Sequence, residues 1–329
     1  MALPESFKGR LRLPAVVAPM FLISGPDLVV ECCKAGLVGT FPALNCRSSE
    51  AFEQWLIEIQ ERLQAHEREA GKTPAPFGVN LIVHKTNARW EADLELCVRY
   101  RVPLVITSLG AVSDLVDRVH GYGGLVFHDV TNMRHARKTV AAGVDGLIAV
   151  CNGAGGHAGT LNPFALLSEI RGFFDGTLLL SGCINDGRQI AAARLLGADL
   201  AYMGTRFINT AESQADGDLQ QMIVDAEAAD ILYTTEVSGV PGNFIRQSIV
   251  RAGLDPDNLA GRNQLDFGTE KKKAWKHIWS AGQGVGGIGD VPGVASLAAR
   301  LIGEYRDGCG ALAADGFAVA GVLSEVVHG

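Results

Sequence analysis

The feature that most constrains the fold of this chain is a repeated alternation between short apolar runs and longer amphipathic segments. The predicted strands are Ala15–Pro19, Leu37–Phe41, Phe77–Val83, Pro103–Ser108, Gly124–His128, Asp145–Val150, Thr177–Ser181 and Asp199–Gly204. Segments with helical periodicity lie between them, among them Ser49–Arg68, Trp90–Tyr100, Ala111–His120, Arg134–Ala142, Phe164–Phe173 and Arg188–Leu196. Strands separated by helices form a parallel sheet, and eight such units predict a closed (β/α)8 TIM barrel.

Glycines at the ends of several predicted helices support the same unit boundaries. Gly36, Gly143 and Gly197 each come directly before a predicted strand. A glycine just past a helix takes the left-handed conformation that closes its last turn. The repeated glycine therefore marks the helix ends, and this evidence does not depend on the hydrophobic pattern.

A doubly wound nucleotide-binding fold is the alternative architecture. Such a fold needs its glycine-rich turn directly after the first strand. Here the first strand ends in Ala18-Pro19-Met20, and the glycine-rich loop comes only after the sixth strand. The pattern therefore favours the barrel.

The alternation stops after the eighth strand. Residues from Glu212 to Trp279 contain helical stretches and turn clusters without further strand–helix units. We predict a helical insertion that covers the top of the barrel, and a closing outer helix at Val294–Arg306. The predicted division is a barrel formed by residues 1–211 and 290–329, and a helical lid formed by residues 212–289. The last twenty residues are small and apolar, and predict one more helix.

Charge, cysteines and the N-terminus bound the class of protein. A net charge of −7 and 40 glycines suit a barrel with many tight turns and argue against a nucleic-acid partner. Seven scattered cysteines without a paired-cysteine motif fit reduced thiols, and give no zinc signature. No signal sequence or membrane-length apolar run is present, so we expect a cytoplasmic protein. The basic run Lys271–Lys273 is interpreted as a solvated helix face.

The loop after the sixth strand is the strongest functional signal. Cys151-Asn152-Gly153-Ala154-Gly155-Gly156-His157-Ala158-Gly159 has almost no side chains, and its one titratable ring is His157. Glycine lets a backbone approach a ligand closely. The segment is therefore predicted to be a ligand-binding loop in which His157 handles a proton.

Barrel enzymes place their active site at the carboxyl ends of the strands, and often bind phosphate after strands seven and eight. Strand seven ends in Ser181-Gly182 and strand eight leads into Gly204-Thr205. Backbone N–H groups freed by glycine, the Thr205 hydroxyl and a following helix N-terminus can surround a phosphate. The alternative to a phosphate site is that Ser181-Gly182 and Gly204-Thr205 each form an ordinary tight turn.

Other strand ends supply less specific candidates. Asn80 is placed to hydrogen-bond a flat heterocycle, or to cap a turn. His128 and Asp129 either orient one another at the site, or Asp129 caps the following helix. Cys151 and Cys183 lie beside the predicted site, where small apolar packing is the favoured role because no base neighbours them.

Taken in order, these motifs resemble one known family. They are Ala18-Pro19-Met20, Gly78-Val79-Asn80, Gly153–Gly159, Ser181-Gly182, Tyr202–Phe207 and Trp279–Gly284. The set is similar to the FMN-dependent nitronate monooxygenases, formerly called 2-nitropropane dioxygenases, over nearly the whole chain. These motifs are more specific for the fold and for FMN than for the substrate.

The resemblance implies a barrel with FMN at its mouth, beneath a helical lid. It implies that His157 is the catalytic histidine near flavin N5, and that Gln283 is close to the ring. The cofactor-binding positions that follow from it are Ala18, Met20, Asn80, Asp129, Gly155, Gly156, Ser181, Gly182, Cys183, Gly204, Thr205 and Gln283. No metal is expected.

The chain departs from the family pattern at three positions. Asp129 stands where some relatives have lysine, Val150 where some have an acid, and Cys183 where many have glycine. Loss of the cation weakens stabilisation of an anionic reduced flavin. The negative charge of Asp129 also makes an anionic nitronate bind less favourably.

The leading prediction is oxidation of an alkyl nitronate by FMN, with electrons passed to O2. The alternatives on the same scaffold are an NAD(P)H:quinone reductase and an FMN-dependent enoyl reductase. A flavin-free phosphosugar isomerase or lyase would need a Lys or Glu base at a strand end, which the strand ends lack. The expected partners are small molecules, with no nucleic acid and no membrane, and the sequence is compatible with a homodimer.

Overall fold

Eight parallel strands close into a barrel in this computed structural model, which describes residues 2–84, 86–110, 113–259 and 278–315. The barrel strands are β1 (Ala15–Val17), β2 (Val38–Pro42), β3 (Phe77–Ile82), β4 (Leu104–Ser108), β5 (Leu125–Val130), β6 (Gly146–Val150), β8 (Thr177–Ser181) and β9 (Leu200–Met203). Each strand pairs in parallel with the next, and β1 closes the ring against β9, with Val16 opposite Tyr202. The predicted barrel is confirmed.

Seven of the described α-helices lie between the barrel strands, as the alternation predicts, and four follow β9. The described helices are α1 (Pro26–Lys34), α2 (Ser49–Ala70), α3 (Trp90–Arg99), α4 (Ser113–His120), α5 (Met133–Ala141), α6 (Pro163–Arg171), α7 (Gly187–Leu195), α8 (Thr205–Ile208), α9 (Gly217–Asp225), α10 (Arg246–Arg251) and α11 (Val294–Ala313). Gly36, Gly143 and Gly197 have φ of 84°, 87° and 99°, so the predicted left-handed glycines are confirmed.

Alternation along each strand divides the apolar side chains between two cores. Inward-facing residues such as Leu104, Ile148 and Leu179 fill the barrel, whereas outward-facing residues pack under the helices. The bottom of the barrel is closed by Phe7, whose ring lies 6.2 Å from that of Phe127 in an edge-to-face contact. Because the lower layers are filled, the open end for a ligand is the carboxyl end.

The insertion after β9 is not purely helical, contrary to the prediction. It contains a hairpin formed by β10 (Ile231–Thr234) and β11 (Gly242–Ile245). The hairpin adds the two-residue strand β7 (Gly156–His157) as a third antiparallel strand. The segment predicted to be a helical lid is therefore bonded directly to the glycine-rich loop.

The insertion also has a small core of its own. Ile223, Ile245 and Val285 of the insertion pack together. Ile208, which lies on α8 just before the insertion, packs with them. The division into residues 1–211 with 290–329 and residues 212–289 remains a prediction.

The closing helix α11 begins at Val294 as predicted and extends to Ala313. It packs against α7 and α1. The run Lys271–Lys273 and most of the predicted final helix lie outside the described residues.

Candidate active site

The ends of β1 and β9 meet at one side of the barrel mouth. The Ala18 N–H donates to the Met203 carbonyl at 2.9 Å. A Cβ on Gly204 would lie 3.6 Å from the Ala18 Cβ and 3.7 Å from the Met20 sulfur. The structure therefore brings Ala18, Met20 and Gly204 together, and the absence of a side chain at Gly204 keeps this part of the mouth open.

A chain of hydrogen bonds crosses three neighbouring strands at the same level. Asn80 on β3 donates through Nδ2 to the Ile106 carbonyl at 3.2 Å and to Ser108 Oγ at 2.8 Å. Ser108, at the end of β4, donates in turn to Asp129 Oδ2 at 2.5 Å. Since both amide hydrogens of Asn80 are used, its Oδ1 is the group that remains for a ligand.

Asp129 is the unusual member of this chain. Its Oδ1 is buried and has no hydrogen-bond partner among the described residues. Asp129 also takes part in none of the ion pairs found there. Burial raises the pKa of Asp129 to about 6, and the hydrogen bond from Ser108 partly offsets this effect. The mouth therefore holds a carboxyl group that changes charge near neutral pH.

His128 does not orient Asp129, because neighbouring residues in a strand point to opposite faces. Its Nδ1 lies 2.6 Å from the Thr107 hydroxyl on the outer side of the barrel. Burial lowers the pKa of His128 to about 4. Asp129 does not cap the next helix either, since the Asn132 side chain accepts from the His135 N–H there. Both interpretations offered for the pair are therefore wrong.

The glycine-rich loop is held from the insertion side by the hairpin. Gly242 and Asn243 pair with His157 and Gly156. The Asn243 side chain is buried, and its Nδ2 donates to the Ala154 carbonyl at 2.7 Å. A Cβ on Gly242 would lie 2.9 Å from the Gly156 carbonyl oxygen, so only glycine allows this approach.

The segment from Ala281 to Gly287 holds the other side of the loop. The Gln283 N–H donates to the Gly153 carbonyl at 2.9 Å, and the Gly282 N–H donates to Thr205 Oγ1 at 2.9 Å. Asn185 Nδ2, in the loop after β8, donates to the Gly284 carbonyl at 2.7 Å. This segment thus joins the three loops that follow β6, β8 and β9.

His157 lies on β7, in the loop that follows β6, and is partly accessible to solvent. No side-chain hydrogen bond is formed by it within the described part of the chain. Its pKa is lowered by burial, because the loop and hairpin around it partly desolvate the ring. The imidazole is therefore neutral at pH 7 and free to accept or donate a proton toward a ligand.

Three of the four described non-glycine residues with positive φ lie in strand-end loops, and the fourth, Arg101, lies before β4. Leu22, Leu109 and Cys183 have φ of 61°, 67° and 55°, which side chains other than glycine and asparagine rarely adopt. They follow β1, β4 and β8. Each costs roughly 1–2 kcal/mol, and such strain is typical of functional sites.

The remaining predicted site residues lie on the same surface. Ser181 is half-buried, and its hydroxyl has no hydrogen-bond partner among the residues that the structure describes. A Cβ on Gly153 would lie 2.5 Å from the Cys183 sulfur and 3.1 Å from the Gln283 side-chain oxygen. Cys151 is buried, and burial raises its pKa to about 12, in keeping with the packing role expected of it.

Three residues of this site were not among the predicted catalytic or cofactor-binding positions. Ser108 ends a predicted strand beside Asn80 and could have been found from that position. Tyr202 faces the barrel interior below the mouth. Asn243 gave no signal, because it follows a Gly/Pro turn cluster far along the chain from the loop that it holds.

A (β/α)8 barrel with a glycine-rich loop, an accessible histidine and a buried carboxyl at its mouth has the architecture of a barrel enzyme. The family model described as nitronate monooxygenase matches residues 85–301, about two thirds of the chain. The chain belongs to the nitronate monooxygenase family, and it is an oxidoreductase of the flavin-dependent kind. The resemblance noted in the sequence is confirmed.

Individual relatives carry more than one activity. A (3aS,4S,5R,7aS)-5-hydroxy-7a-methyl-1-oxo-octahydro-1H-indene-4-carboxyl-CoA dehydrogenase of Mycobacterium tuberculosis is 28% identical, over 80% of this chain and 73% of its own length. The nitronate monooxygenase of Paraburkholderia phytofirmans is 27% identical, over 74% of this chain and 76% of its own length. A nitroalkane oxidase from Streptomyces ansochromogenes has the same fold, with a TM-score of 0.79, 24% identity, and coverage of 94% of this chain and all of that one.

The described residues show neither a metal-binding cluster nor a membrane-spanning helix. Within them, no group of three or more His, Cys, Asp and Glu side chains is arranged to hold a metal ion. Their helices include none with the length and apolar character needed to cross a membrane.

Proposed function

We propose that this protein is an FMN-dependent oxidoreductase that oxidises alkyl nitronates and passes the electrons to O2. One observation carries the proposal: the loops that the family resemblance assigns to the flavin form one connected surface around the barrel mouth. The Ala281–Gly287 segment contacts the loops after β6, β8 and β9, and β1 contacts β9.

The residues present fit a flavin mononucleotide. Ala18 and Gly204 leave the mouth open for a flat ring, and Asn80 Oδ1 is free to accept from the ring's imide N–H. The Ser181 hydroxyl and the backbone of Gly182 are available to a phosphate without any side chain to clear. The remaining cofactor-binding predictions, including Asp129, Cys183 and Gln283, stay part of this proposal.

The bound flavin would supply the electron-transfer chemistry. His157 would act on the substrate. As a neutral imidazole it can donate its N–H to a nitronate oxygen, and with a neutral nitroalkane it can accept the α-proton to give the nitronate. The hairpin and the Ala281–Gly287 segment hold the loop that carries His157, and so fix the position of its backbone.

A second candidate is reduction of an uncharged enoyl or quinone substrate with electrons from NAD(P)H. The observation that favours it is Asp129, since a buried carboxyl without a cation disfavours an anionic substrate.

One anaerobic experiment separates the two candidates. The purified coloured protein is mixed with propyl-2-nitronate, NADH or NADPH, and bleaching of the flavin absorption is followed in a stopped-flow instrument. We expect rapid bleaching by the nitronate and slow bleaching by both nicotinamides. Rapid bleaching by NADH or NADPH alone would support the second candidate, and a colourless protein that takes up no FMN would reject both.

A further inference from the structure

Asp129 differs from the other inward-facing residues because it brings an uncompensated acid into the barrel. Its Oδ2 is held by Ser108, and its Oδ1 is enclosed without a donor. Its in-register neighbour on β6 is the apolar Ile148, which offers no hydrogen bond. A carboxylate in such a place is poorly screened, and its field acts over a longer range than that of a surface charge.

The field of Asp129 reaches across the barrel. Tyr202 lies on β9, which is not adjacent to β5, yet the charge of Asp129 adds to burial in raising the pKa of Tyr202. Strand β9 leads directly into Gly204 and Thr205 at the mouth. A substrate seated over the mouth therefore lies within reach of the same field.

We propose that Asp129 is a specificity-determining residue: its carboxylate disfavours anionic substrates at the barrel mouth, and its protonated form admits them. The inference rests on the proposed function, because a nitronate is an anion. It makes the affinity of the site for anions, the nitronate among them, depend on pH: anions bind more weakly above neutrality and more strongly as Asp129 is protonated.

The groups that face Asp129 are few. Strand β4 contributes Ser108, and β3 contributes Asn80 through Ser108, both uncharged. Strand β9 contributes Tyr202, which stays neutral because its pKa is raised. The loop above carries His157, whose own protonation would also favour an anion, so a test has to separate the two.

The test uses two ligands of one shape and different charge, isobutyrate and isobutyramide, titrated into the flavin-loaded enzyme. Binding is followed by perturbation of the visible absorption of the flavin. In wild-type enzyme, we expect the ratio of the isobutyrate Kd to the isobutyramide Kd to fall about tenfold from pH 8 to pH 5.5. In Asp129→Asn the ratio should already be about tenfold lower at pH 8, and only the part due to His157 should still vary with pH.

Two further variants sharpen the result. Asp117→Asn removes an exposed charge on α4 and should behave like the wild type. Ser108→Ala removes the hydrogen bond that holds down the pKa of Asp129, so the pH at which isobutyrate binding strengthens should rise. A ratio that Asp129→Asn leaves unchanged, or a downward shift in Ser108→Ala, would overturn the proposal. These titrations need no turnover, so they remain decisive if propyl-2-nitronate fails to reduce the flavin and the proposed function falls.

Discussion

At the scale of single residues, the chain places two buried ionisable groups side by side that respond to pH in opposite directions. Asp129 has a pKa raised to about 6, so its contribution to stability is full below about pH 4 and is lost as the pH rises through 6. His128 has a pKa lowered to about 4, so its contribution is full above about pH 6.5 and is lost as the pH falls toward 4. The two effects partly cancel over the same range.

Replacement of Asp129 separates its effect on stability from that of His128. Asp129→Asn cannot ionise, whereas the wild type loses on the order of 2 kcal/mol of stability from this group between pH 4 and pH 8. We expect the variant to gain stability relative to the wild type by about that amount over this range. Urea unfolding at both pH values measures it, and the His128 contribution is common to both proteins. A difference between the proteins that does not change with pH would contradict the raised pKa.

His157 is expected to matter for turnover and not for cofactor binding. Its ring makes no side-chain hydrogen bond in the described part of the chain and is accessible to solvent, so His157→Ala should retain FMN. The value of kcat/KM for propyl-2-nitronate should fall by about 10- to 100-fold, because the hydrogen bond from the ring to a charged nitronate oxygen is lost. Flavin content and steady-state oxygen uptake measure the two effects.

The control for this variant is His135→Ala, which removes an exposed histidine on α5 and should keep wild-type activity. Unchanged kcat/KM in His157→Ala would remove His157 from the proposed mechanism.

At the scale of elements, the hairpin β10–β11 holds the loop that carries His157. Asn243→Ala removes the hydrogen bond to the Ala154 carbonyl, and should destabilise the protein by about 1–3 kcal/mol because that carbonyl then lacks a buried donor. With the loop less closely packed, His157 becomes better hydrated. Its pKa should then rise toward the ordinary value, and kcat should fall about tenfold or more.

Asn209→Ala is the matched control for Asn243→Ala. Asn209 is also a buried amide that donates through Nδ2 to a backbone carbonyl, that of Gln220 at 2.9 Å. It should lose similar stability and leave the pKa of His157 unchanged, as followed by the imidazole resonances in NMR spectra. Equal pKa changes in both variants would show a general loosening, without a specific role for the hairpin.

The elements of the barrel could be predicted from the sequence because each carries its own local signal. Apolar runs set the strands, and glycines such as Gly36 and Gly197 end the helices in the left-handed conformation. The hairpin could not be predicted, because β10 and β11 have four residues each and β10 is only partly buried. Its pairing with β7 joins residues more than eighty positions apart, which no local pattern encodes.

The site could be predicted in part for the same reason. Strand ends place Asn80, Ser181 and Gly204 at the mouth by topology alone. The mutual orientation suggested for His128 and Asp129 was wrong because it ignored the alternation of side chains along a strand, which the sequence does contain. The enclosure of Asp129 Oδ1 depends on neighbours from other strands, and only the folded structure reveals it.

At the scale of the whole molecule, the candidate site is assembled from segments that are far apart in the chain. The loops after β6, β8 and β9 and the Ala281–Gly287 segment meet through a few backbone hydrogen bonds. A ligand that contacts several of them binds only the folded state, and so stabilises it by mass action.

Removal of the flavin should therefore lower the melting temperature, and its return should restore it. At 100 times its Kd, FMN should contribute about 2.7 kcal/mol, a shift of several degrees for a chain of this size. Riboflavin, which lacks the phosphate, should stabilise less at the same concentration. Differential scanning fluorimetry of flavin-stripped protein with FMN, riboflavin and FAD measures this order.

The variant Thr205→Val tests whether the greater stabilisation by FMN than by riboflavin depends on the loops after β8 and β9. Thr205 Oγ1 accepts from the Gly282 N–H, and its own proton remains for an anion. The variant should therefore reduce the stabilisation by FMN toward that by riboflavin, with little change in the riboflavin value. If riboflavin stabilises as much as FMN, the phosphate is not held by the loops after β8 and β9. If FAD stabilises more than FMN, the cofactor is the larger flavin, and the mouth has to accommodate its adenylate as well.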